Sequence, residues 1–548
     1  MTETIGNFAF LPLGGTGEIG MNLNLYMLDG HYLAVDCGIG FSGNDTPEAE
    51  ILMPDPSFLA ERQDQLYGLV VTHAHEDHLG AIEHLWPQFK CPIYATPFAA
   101  AVLRRKLGEA RMLDKVQINV IASGARFEVG PFDLQFISVT HSVPEAQSLA
   151  MRTPYGNYIH TGDFKIDEPP LLGPMTDFDS FRQLGEDGVR AVIGDSTNVF
   201  REGPSGTEQS VREGLTTLIA DLTGRVAVTC FASNVARVES IAMAARAAGR
   251  KVVTVGRSLR NLEVAARECG YLTDIPPFLT EQDAAHIPDR ELLLIVTGSQ
   301  GEPRSALTRI AADTHPNISL GEGDTIIYSS RMIPGNEHAV MAVQDNLSRR
   351  GVRVLTDRDH PVHVSGHATS RDLRRLYEVL KPEYVVPTHG EWRHLTAHAD
   401  LARKVGAKTV LLEDGDILQL APGKPEIIDT APTGRYVLDG SRILPLSSDV
   451  LAARRRILYN GMVIGSFAVD DEGFMIGLPK ISAPGLLEST DPELHRIVGD
   501  FANAIDDIPD NIRAEDDAFR DAAKTALRRA LGRKLQKRPL VDVHLLRV

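Results

Sequence analysis

Cysteine is scarce in this chain, and the few that occur are scattered. The four cysteines, Cys37, Cys91, Cys230 and Cys269, form no Cys-x-x-Cys pair. Paired spacings are typical of disulfide-rich secreted domains and of thiolate metal sites. The sequence therefore argues against a disulfide framework and against a cysteine-based metal centre, and it favours a reducing cytoplasm.

Long apolar runs are also lacking. Residues 1–7 contain neither the basic segment nor the apolar segment of a secretory leader, and no later stretch is long and apolar enough for a membrane span. We expect a cytoplasmic protein that makes no contact with membranes.

The chain also lacks an excess of positive charge: its formal net charge is −17. Phosphate affinity normally comes from Lys and Arg, so this balance speaks mildly against a nucleic-acid enzyme. Bound divalent metals and a local basic channel can supply the positive charge instead. The hydrophobic content of 43% is ordinary for globular proteins, and 548 residues predict about three domains.

Histidine, in contrast, is concentrated in one place. The segment His73–His78 holds three imidazoles and two carboxylates between an apolar run, Tyr67–Thr72, and a helical pattern, Leu79–Leu85. The side chains thus lie in a strand-to-helix turn, where they can converge on metal ions. A polar loop that is histidine-rich by chance is the alternative, and the spacing His-x-His-x-Asp-His disfavours it.

Three further candidate ligands follow strand-like stretches. His141, Asp163 and His389 come directly after the runs Phe136–Thr140, Tyr158–Gly162 and Tyr384–Thr388. Each alone would be read as a turn residue. Together with His73–His78 they resemble, in order, the ligands of the metallo-β-lactamase superfamily. This resemblance implies a four-layer αββα sandwich.

An α/β insertion separates Asp163 from His389. Strand and helix patterns alternate there, which predicts a parallel, doubly wound domain. The predicted elements are Arg225–Phe231, Val235–Ala248, Lys251–Val255, Leu259–Cys269, Leu292–Thr297, Ser305–Asp313, Thr325–Ser329 and Glu337–Arg350. Such an insertion resembles the β-CASP branch of the superfamily, whose members cut nucleic acids; ordinary lactamases and glutathione thiolesterases lack it.

The predicted fold is α/β and α+β multidomain. Residues 1–208 and 361–432 form the metallo-β-lactamase domain, and 209–360 form the inserted β-CASP domain. Residues 433–449 form a linker, and 450–548 form a small α+β C-terminal domain. There we predict strands over 456–469, 474–478 and 540–546 and helices over 492–508 and 514–535. The glycine-rich stretch Gly14–Gly20 precedes a β-meander, so it is interpreted as a tight turn and not a dinucleotide loop.

Six motifs extend the resemblance to the ribonuclease J family, and the extra C-terminal domain does so too. The motifs are Gly14–Asn22, Gly162–Lys165, Gly194–Asn198, Phe231–Asn234, Ile333–Glu337 and His363–Ala368.

The resemblance implies a site for two divalent metals. We assign His73, His75 and His141 to one metal and Asp77, His78 and His389 to the other, with Asp163 bridging them. Nitrogen and oxygen ligands suit zinc and leave manganese or magnesium open. Two such metals lower the pKa of water toward about 7 and neutralise a phosphate. Asp36 and Asp195 are expected to orient ligand imidazoles, although Asp36 also fits a strand-end turn residue.

The loop His363–His367 precedes a predicted helix, Leu373–Leu380, with a capping box at Thr369–Asp372. A phosphate there would meet exposed N–H groups, so His363, Val364, Ser365, Gly366 and His367 are candidate substrate-binding residues. By resemblance His367 is the candidate general acid, whereas His363 alone is more typical of a core histidine.

Ser233 and Asn234 follow a predicted strand of the insertion, at the end where doubly wound folds bind ligands. The resemblance implies a 5′-monophosphate pocket, while the residues alone equally suggest a helix cap.

The expected activity is a metal-dependent ribonuclease of RNA maturation and mRNA decay. It would degrade single-stranded, 5′-monophosphorylated RNA 5′ to 3′ and also cut internally, as a homodimer or homotetramer. A β-CASP DNA nuclease, a small-substrate thiolesterase or lactamase, and a non-catalytic RNA-processing scaffold are the alternatives. The basic end of the helix predicted over 514–535 could contact RNA, but a solvated face is the simpler interpretation.

Overall fold

The computed structural model describes residues 8–41, 51–333, 335–532 and 535–548. Our expectations on residues 1–7, Pro334, Arg533 and Lys534 lie outside this part. The chain forms two compact units, residues 1–443 and 444–548. Within the described residues, we find no helix with the length and hydropathy that crossing a bilayer requires.

Two β-sheets lie face to face in the first unit. The eight strands of one sheet are, in spatial order, Glu426–Thr430, Asp416–Ala421, Phe8–Gly14, Leu23–Leu28, His31–Val35, Leu66–Val70, Ile93–Ala95 and Ile118–Val120. The seven strands of the other are Arg126–Val129, Phe132–Ser138, Gln147–Thr153, Gly156–His160, Val189–Asp195, Tyr384–Thr388 and Lys408–Thr409. Aromatic side chains fill the space between the sheets: the rings of Phe8 and Tyr158, one from each sheet, lie 4.3 Å apart.

Helices cover the outer face of each sheet and complete an αββα sandwich. Ile82–Phe89 and Pro97–Glu109 pack on the eight-stranded sheet. The seven-stranded sheet is covered by Phe178–Asp187, Ser370–Leu380 and Trp392–Lys404. Short helices occur at Ser57–Ala60 and Glu76–Leu79.

The insertion is a five-stranded, wholly parallel sheet with helices on both faces. Its strands are, in spatial order, Lys251–Val255, Leu292–Val296, Val226–Thr229, Thr325–Tyr328 and Arg353–Leu355. One face packs against Glu208–Ala220, Val235–Ala247 and Arg257–Glu268, and the other against Ala306–Ala311 and Glu337–Arg349. The prediction of a doubly wound domain is confirmed.

After the insertion the chain returns to the sheet that it left. Tyr384–Thr388 pairs in parallel with Val189–Asp195, which in turn pairs with Gly156–His160. The carboxyl ends of these strands therefore lie side by side, although more than 200 residues separate the first strand from the last in sequence. This topology brings Asp163, Asp195 and His389 to one edge of the sheet.

The segment predicted to be a linker contains two strands, Arg435–Asp439 and Arg442–Pro445. The first strand pairs antiparallel with Ile51–Pro54 in a sheet that also includes Gly40–Phe41. Val437 of the first strand is fully buried. The polar residues around it in the sequence give no apolar pattern that would predict this strand.

The second unit has its own core. Its sheet has the order Lys480–Ser482, Met462–Val469, Leu540–Arg547, and its helices are Asp449–Asn460, Pro492–Asp506, Asp510–Arg513 and Asp516–Leu531. The strand predicted over 456–469 begins only at Met462, because residues up to Asn460 continue a helix that Gly461 ends with a φ of 72°. The predicted strand over 474–478 is absent: Met475 makes one bridge to Val469, and Leu478 is 77% exposed.

Candidate metal centre and active site

The turn His73–His78 connects the strand Leu66–Val70 to the short helix Glu76–Leu79. It lies so close to the loop after His31–Val35 that a Cβ on Gly38 would come within 1.7 Å of the Asp77 carbonyl oxygen. The amide of Cys37 donates to the carbonyl of His78 (2.7 Å) and pins the turn. Glycine is thus required at position 38 for the turn to reach the sheet edge.

His73, His75, His141 and Asp163 form the first group of candidate ligands, whose donor atoms all lie within 4.8 Å of one another. Nδ1 of His75 is 3.0 Å from Nε2 of His73 and 3.0 Å from Nε2 of His141. Burial holds the pKa of His73 and of His141 well below the usual value, and it lowers that of His75 to about 4. The three imidazoles are therefore neutral at neutral pH, as metal ligation requires.

The second group contains Asp77, His78, His389 and again Asp163. Nε2 of His78 lies 3.1 Å from Oδ2 of Asp163, and Nε2 of His389 lies 3.3 Å from Oδ2 of Asp77. Burial opposes a charge on His389, but Asp163 and the other surrounding carboxylates raise its pKa to about 10. A protonated His389 would form ion pairs with these carboxylates whenever no metal is bound.

Asp163 belongs to both groups. Its Oδ2 lies 3.8 Å from Nε2 of His73 and 3.1 Å from Nε2 of His78, and its Oδ1 lies 3.5 Å from Nδ1 of His389. A carboxylate shared between two sets of donors has the geometry of a ligand that bridges two metals.

Hydrogen bonds orient two of the imidazoles toward this centre. Nδ1 of His141 lies 2.6 Å from the Gly366 carbonyl, to which it can only donate, so its Nε2 keeps a lone pair. Nδ1 of His78 lies 2.8 Å from Oδ2 of Asp36, so in the neutral imidazole Nε2 is again unprotonated. Nδ1 of His75 lies between Nε2 of His73 and Nε2 of His141, and it carries either one proton or one lone pair. It cannot satisfy both of these nitrogens by hydrogen bonds, so a cation that all three ligate accounts for the arrangement better. The donors fit two divalent metals with nitrogen and oxygen ligands.

Asp36 and Asp195 each contact an imidazole of the centre, His78 and His367 respectively. Asp36 accepts from the amide and the hydroxyl of Thr72, both at 2.8 Å, and contacts His78 as above. Asp36 has a φ of 63°, and the candidate ligand His389 has a φ of 51°. A left-handed backbone is strained for residues other than glycine. Such strain tends to persist at functional sites, where the surrounding structure holds it.

His367 lies at the rim of the centre. Its Nδ1 is 2.9 Å from Oδ2 of Asp195 and 3.7 Å from Oδ2 of Asp163. Its side chain is 21% exposed, whereas that of His389 is 4% exposed. Burial opposes its protonation, but Asp195 and then Asp163 raise its pKa above the usual value. Donor atoms of His367, His389, Asp163 and Asp195 also form a third cluster, so distance alone does not separate an acid from a ligand.

The rest of the loop His363–His367 supports this arrangement. The Ser365 hydroxyl accepts from the amide of His367 (3.2 Å), Gly366 holds His141, and Val364 packs against the apolar core. The helix begins at Ser370, with the predicted capping box formed by Thr369 and Asp372. His363 contacts Arg237 of the insertion, with 3.3 Å between Nδ1 and Nη1.

Ser233 and Asn234 lie at the carboxyl end of the strand Val226–Thr229. Oδ1 of Asn234 accepts from the amide of Arg237 (2.9 Å) and caps the helix Val235–Ala247, as the residues alone suggested. The cap uses only the oxygen of the side-chain amide. Its NH₂ group and the half-buried Ser233 are the donors that a phosphate could use.

Four neighbours of the ligands were not predicted: Asn22, Thr72, Ser142 and Thr197. Nδ2 of Asn22 lies 3.2 Å from Nε2 of His78, and Oγ1 of Thr197 lies 2.7 Å from Nδ1 of His389. Asn22 and Thr197 fall within the quoted motifs Gly14–Asn22 and Gly194–Asn198, so the signal was present but not assigned to a contact.

Comparison with known families identifies four matches along the chain. They are described as a beta-lactamase superfamily domain (residues 31–181), a ribonuclease J beta-CASP domain (223–347), a Zn-dependent metallo-hydrolase RNA specificity domain (351–412) and a ribonuclease J C-terminal domain (449–548). The fold class predicted from the sequence agrees with these matches.

Two curated relatives are similar over most of their length. A ribonuclease J of Sinorhizobium meliloti is 42% identical over 98% of this chain and 97% of its own. A ribonuclease J of Synechocystis is 34% identical over 97% of this chain and 85% of its own. A crystal structure of an Enterococcus faecalis protein of unknown function aligns with a TM-score of 0.51 at 16% identity, over 75% of this chain and 99% of that one, which shows a similar fold.

Proposed function

Since the chain belongs to the ribonuclease J family, we propose that it is a two-metal ribonuclease with His73, His75, His141, Asp77, His78 and His389 as terminal ligands and Asp163 as the bridge. The supporting observation is that two adjacent groups of nitrogen and oxygen donors share the Asp163 carboxylate. When bound, the two metal ions would neutralise the phosphate and lower the pKa of the attacking water.

The remaining residues then have separate tasks. Asp36 and Asp195 hold imidazoles by their Nδ1 atoms, at 2.8 Å from His78 and 2.9 Å from His367. The protonated His367, more exposed than the ligands, donates a proton to the departing 3′-oxygen. The loop His363–His367 and the start of the helix Ser370–Leu380 bind the phosphate that is cut.

We further propose zinc as the metal, 5′ to 3′ degradation from 5′-monophosphate ends, internal cleavage, and a cytoplasmic role in RNA maturation and mRNA decay. Ser233 and the NH₂ group of Asn234 bind the terminal phosphate, because a neutral donor at a parallel strand end suits that group. We also propose domain boundaries at residues 208, 360 and 432. The protein is proposed to assemble as a homodimer or a homotetramer.

A DNA nuclease of the same branch is the second candidate. The presence of His389 favours RNA, since DNA-repair members of the branch resemble one another in having a small apolar residue there. A non-catalytic scaffold is disfavoured because all seven ligand side chains converge.

One assay separates these functions. Purified protein with zinc or manganese is given labelled RNA and DNA of one sequence, each with a 5′-monophosphate or a 5′-triphosphate. We expect RNA cleavage, faster from the monophosphate end. Cleavage of DNA alone would support the second candidate, and no cleavage of either would support the scaffold.

A further inference from the structure

Arg237 is the largest fully buried side chain among the described residues and lies in the first turn of the helix Val235–Ala247. Its Nε donates to Oε2 of Glu208 (3.0 Å) and its Nη2 to Oε1 (2.8 Å). Glu208 is anchored in turn, since its amide donates to Oδ2 of Asp167 (3.1 Å), which also pairs with the buried Lys165 (2.9 Å). Buried charges are costly unless paired in this way.

The other end of the guanidinium faces the loop of the sandwich domain. Nη1 of Arg237 donates to the carbonyl of Ser329 (2.6 Å) and to its hydroxyl oxygen (2.9 Å). The Ser329 hydroxyl donates to the carbonyl of Val362 (2.6 Å), which Nη1 also approaches (3.4 Å). Arg237 thus fixes Val362, the residue that directly precedes the loop His363–His367.

Nη1 of Arg237 also lies 3.3 Å from Nδ1 of His363. A guanidinium can only donate, so a hydrogen bond at this contact requires Nδ1 of His363 to accept, sharing the two Nη1 hydrogens with the oxygens of Ser329 and Val362. Burial, Arg237 and Arg331 lower the pKa of His363 to about 3, so the ring is neutral. When Nδ1 accepts this hydrogen bond, the proton of the neutral imidazole is on Nε2.

We propose that Arg237 is a positioning residue that holds the loop His363–His367 in place for RNA cleavage and keeps His363 in the tautomer with a hydrogen-bond donor at Nε2. The proposal rests on the proposed ribonuclease function. Because the amide of Arg237 is capped by Asn234, the same residue also connects this loop to the candidate terminal-phosphate pocket. A purely structural ion pair is the competing explanation.

Arg237→Lys tests the proposal, because it keeps the charge but cannot maintain the paired contact with Glu208 and the contacts with Ser329 and His363 together. We expect kcat for RNA to fall about ten- to a hundredfold, the factor associated with a lost hydrogen bond to a charged group. KM and the metal content should stay within twofold. Arg212→Lys is the matched control: Arg212 also joins the two helices, through Glu239 (2.6 Å) and Ser240 (3.0 Å), but does not contact the loop.

Two further variants guard against misfolding. Ser329→Ala removes the hydroxyl that connects Arg237 to Val362 and should lower kcat in the same direction without disturbing the ion pair. His363→Gln should lower kcat as well, and its combination with Arg237→Lys should lose no more than the greater single loss. The proposal would be overturned if the loss of kcat in the double variant equalled the product of the two single losses. It would also be overturned if kcat fell in step with the melting temperature in all variants, including Arg212→Lys.

Nitrogen NMR of histidine-labelled protein tests the tautomer independently of activity, with His363→Gln assigning the signal. We expect the Nε2–H form in the parent and a mixture in Arg237→Lys. An Nδ1–H form in the parent would refute the tautomer. If the parent fails to cut RNA but shows the expected signal, the ribonuclease function is wrong and the positioning contact is not.

Discussion

Nδ1 of His367 lies 2.9 Å from Oδ2 of Asp195, the last residue of the strand Val189–Asp195. The carboxylate fixes the orientation of the imidazole, and the side-chain Nδ2 of Asn198 donates to the His367 carbonyl (3.2 Å) and fixes its backbone. With Nδ1 engaged in this way, Nε2 is the nitrogen available to a substrate. The exposed fraction of its side chain, 21% against 4% for His389, distinguishes His367 from that candidate ligand.

His367→Ala should therefore lose chemistry and keep its metals. A departing 3′-oxygen needs a proton, and a positioned acid contributes about 10²- to 10⁴-fold. We expect a loss of kcat in that range, two metals per chain by elemental analysis, and unchanged RNA binding. A substrate with a better leaving group at the scissile position should recover part of the loss.

His389→Ala is the comparison for this variant. It should lose metal occupancy and show no recovery with the better leaving group. If His367→Ala releases a metal instead, His367 is a ligand, as the third donor cluster would permit, and the role of general acid is refuted.

The ligand assignment leads to a second prediction. His75→Ala and Asp163→Ala should each abolish cleavage while circular dichroism shows a preserved fold, because these side chains lie at strand ends and not in the apolar cores. Elemental analysis should find about two metals in the parent and fewer in both variants. Full activity in metal-free parent protein would contradict the assignment.

The sequence was sufficient to predict the elements that carry strong periodicity. Lys251–Val255 and Tyr384–Thr388 have the predicted bounds, and Val235–Ala247 differs by one residue. The predicted ligands could be chosen because each follows such a strand. The predictions failed where pairing with a distant segment determines the secondary structure. Arg435–Asp439 is a strand because it pairs with Ile51–Pro54, and no local sequence pattern reveals that partner.

The contacts of Arg237 could not be predicted for a related reason. Its partners Glu208, Ser329 and His363 are 29, 92 and 126 residues away. An isolated arginine in a helix is usually exposed. Only the packing of the helix Glu208–Ala220 beside Val235–Ala247 shows that this one is buried.

Metal binding should release protons from one half of the centre. Burial opposes protonation of His78 and His389, but Asp163 and neighbouring carboxylates raise the pKa of both, that of His389 to about 10. Both are thus protonated in the metal-free protein at neutral pH and must lose a proton to bind a metal, whereas His73, His75 and His141 are already neutral. Apparent affinity at this half should rise about tenfold per pH unit for each displaced proton.

Zinc titration by calorimetry in two buffers of different ionisation enthalpy measures this release. Asp163→Asn removes the carboxylate that contributes most to both raised values, so proton release should decrease in that variant. Proton-neutral zinc binding by the parent at pH 7 would show that the ion pairs of the second group are absent in solution.

The second unit is expected to act in assembly and RNA alignment, since it contributes none of the proposed ligands. It has its own core and exposes large apolar side chains, among them Leu458 (64%), Tyr459 (63%) and Leu478 (77%). Truncation after Leu446 should shift the mass in solution toward the monomer and weaken activity on long RNA. Light scattering and a long-RNA assay measure both; an unchanged mass with full activity would refute the role.

The terminal-phosphate pocket gives the last prediction, and the helix cap decides which variants can test it. Replacing Asn234 with Ala would remove the cap as well as the donor and cost about 1 kcal/mol of stability. Asn234→Asp keeps the capping oxygen and replaces the NH₂ donor with a charge that repels phosphate. Combined with Ser233→Ala, it should erase most of a preference for 5′-monophosphate ends, about ten- to a hundredfold, and spare internal cleavage. Ser305→Ala, which removes another cap of the same domain, should leave the preference intact; a preference that survives in the double variant would place the pocket elsewhere.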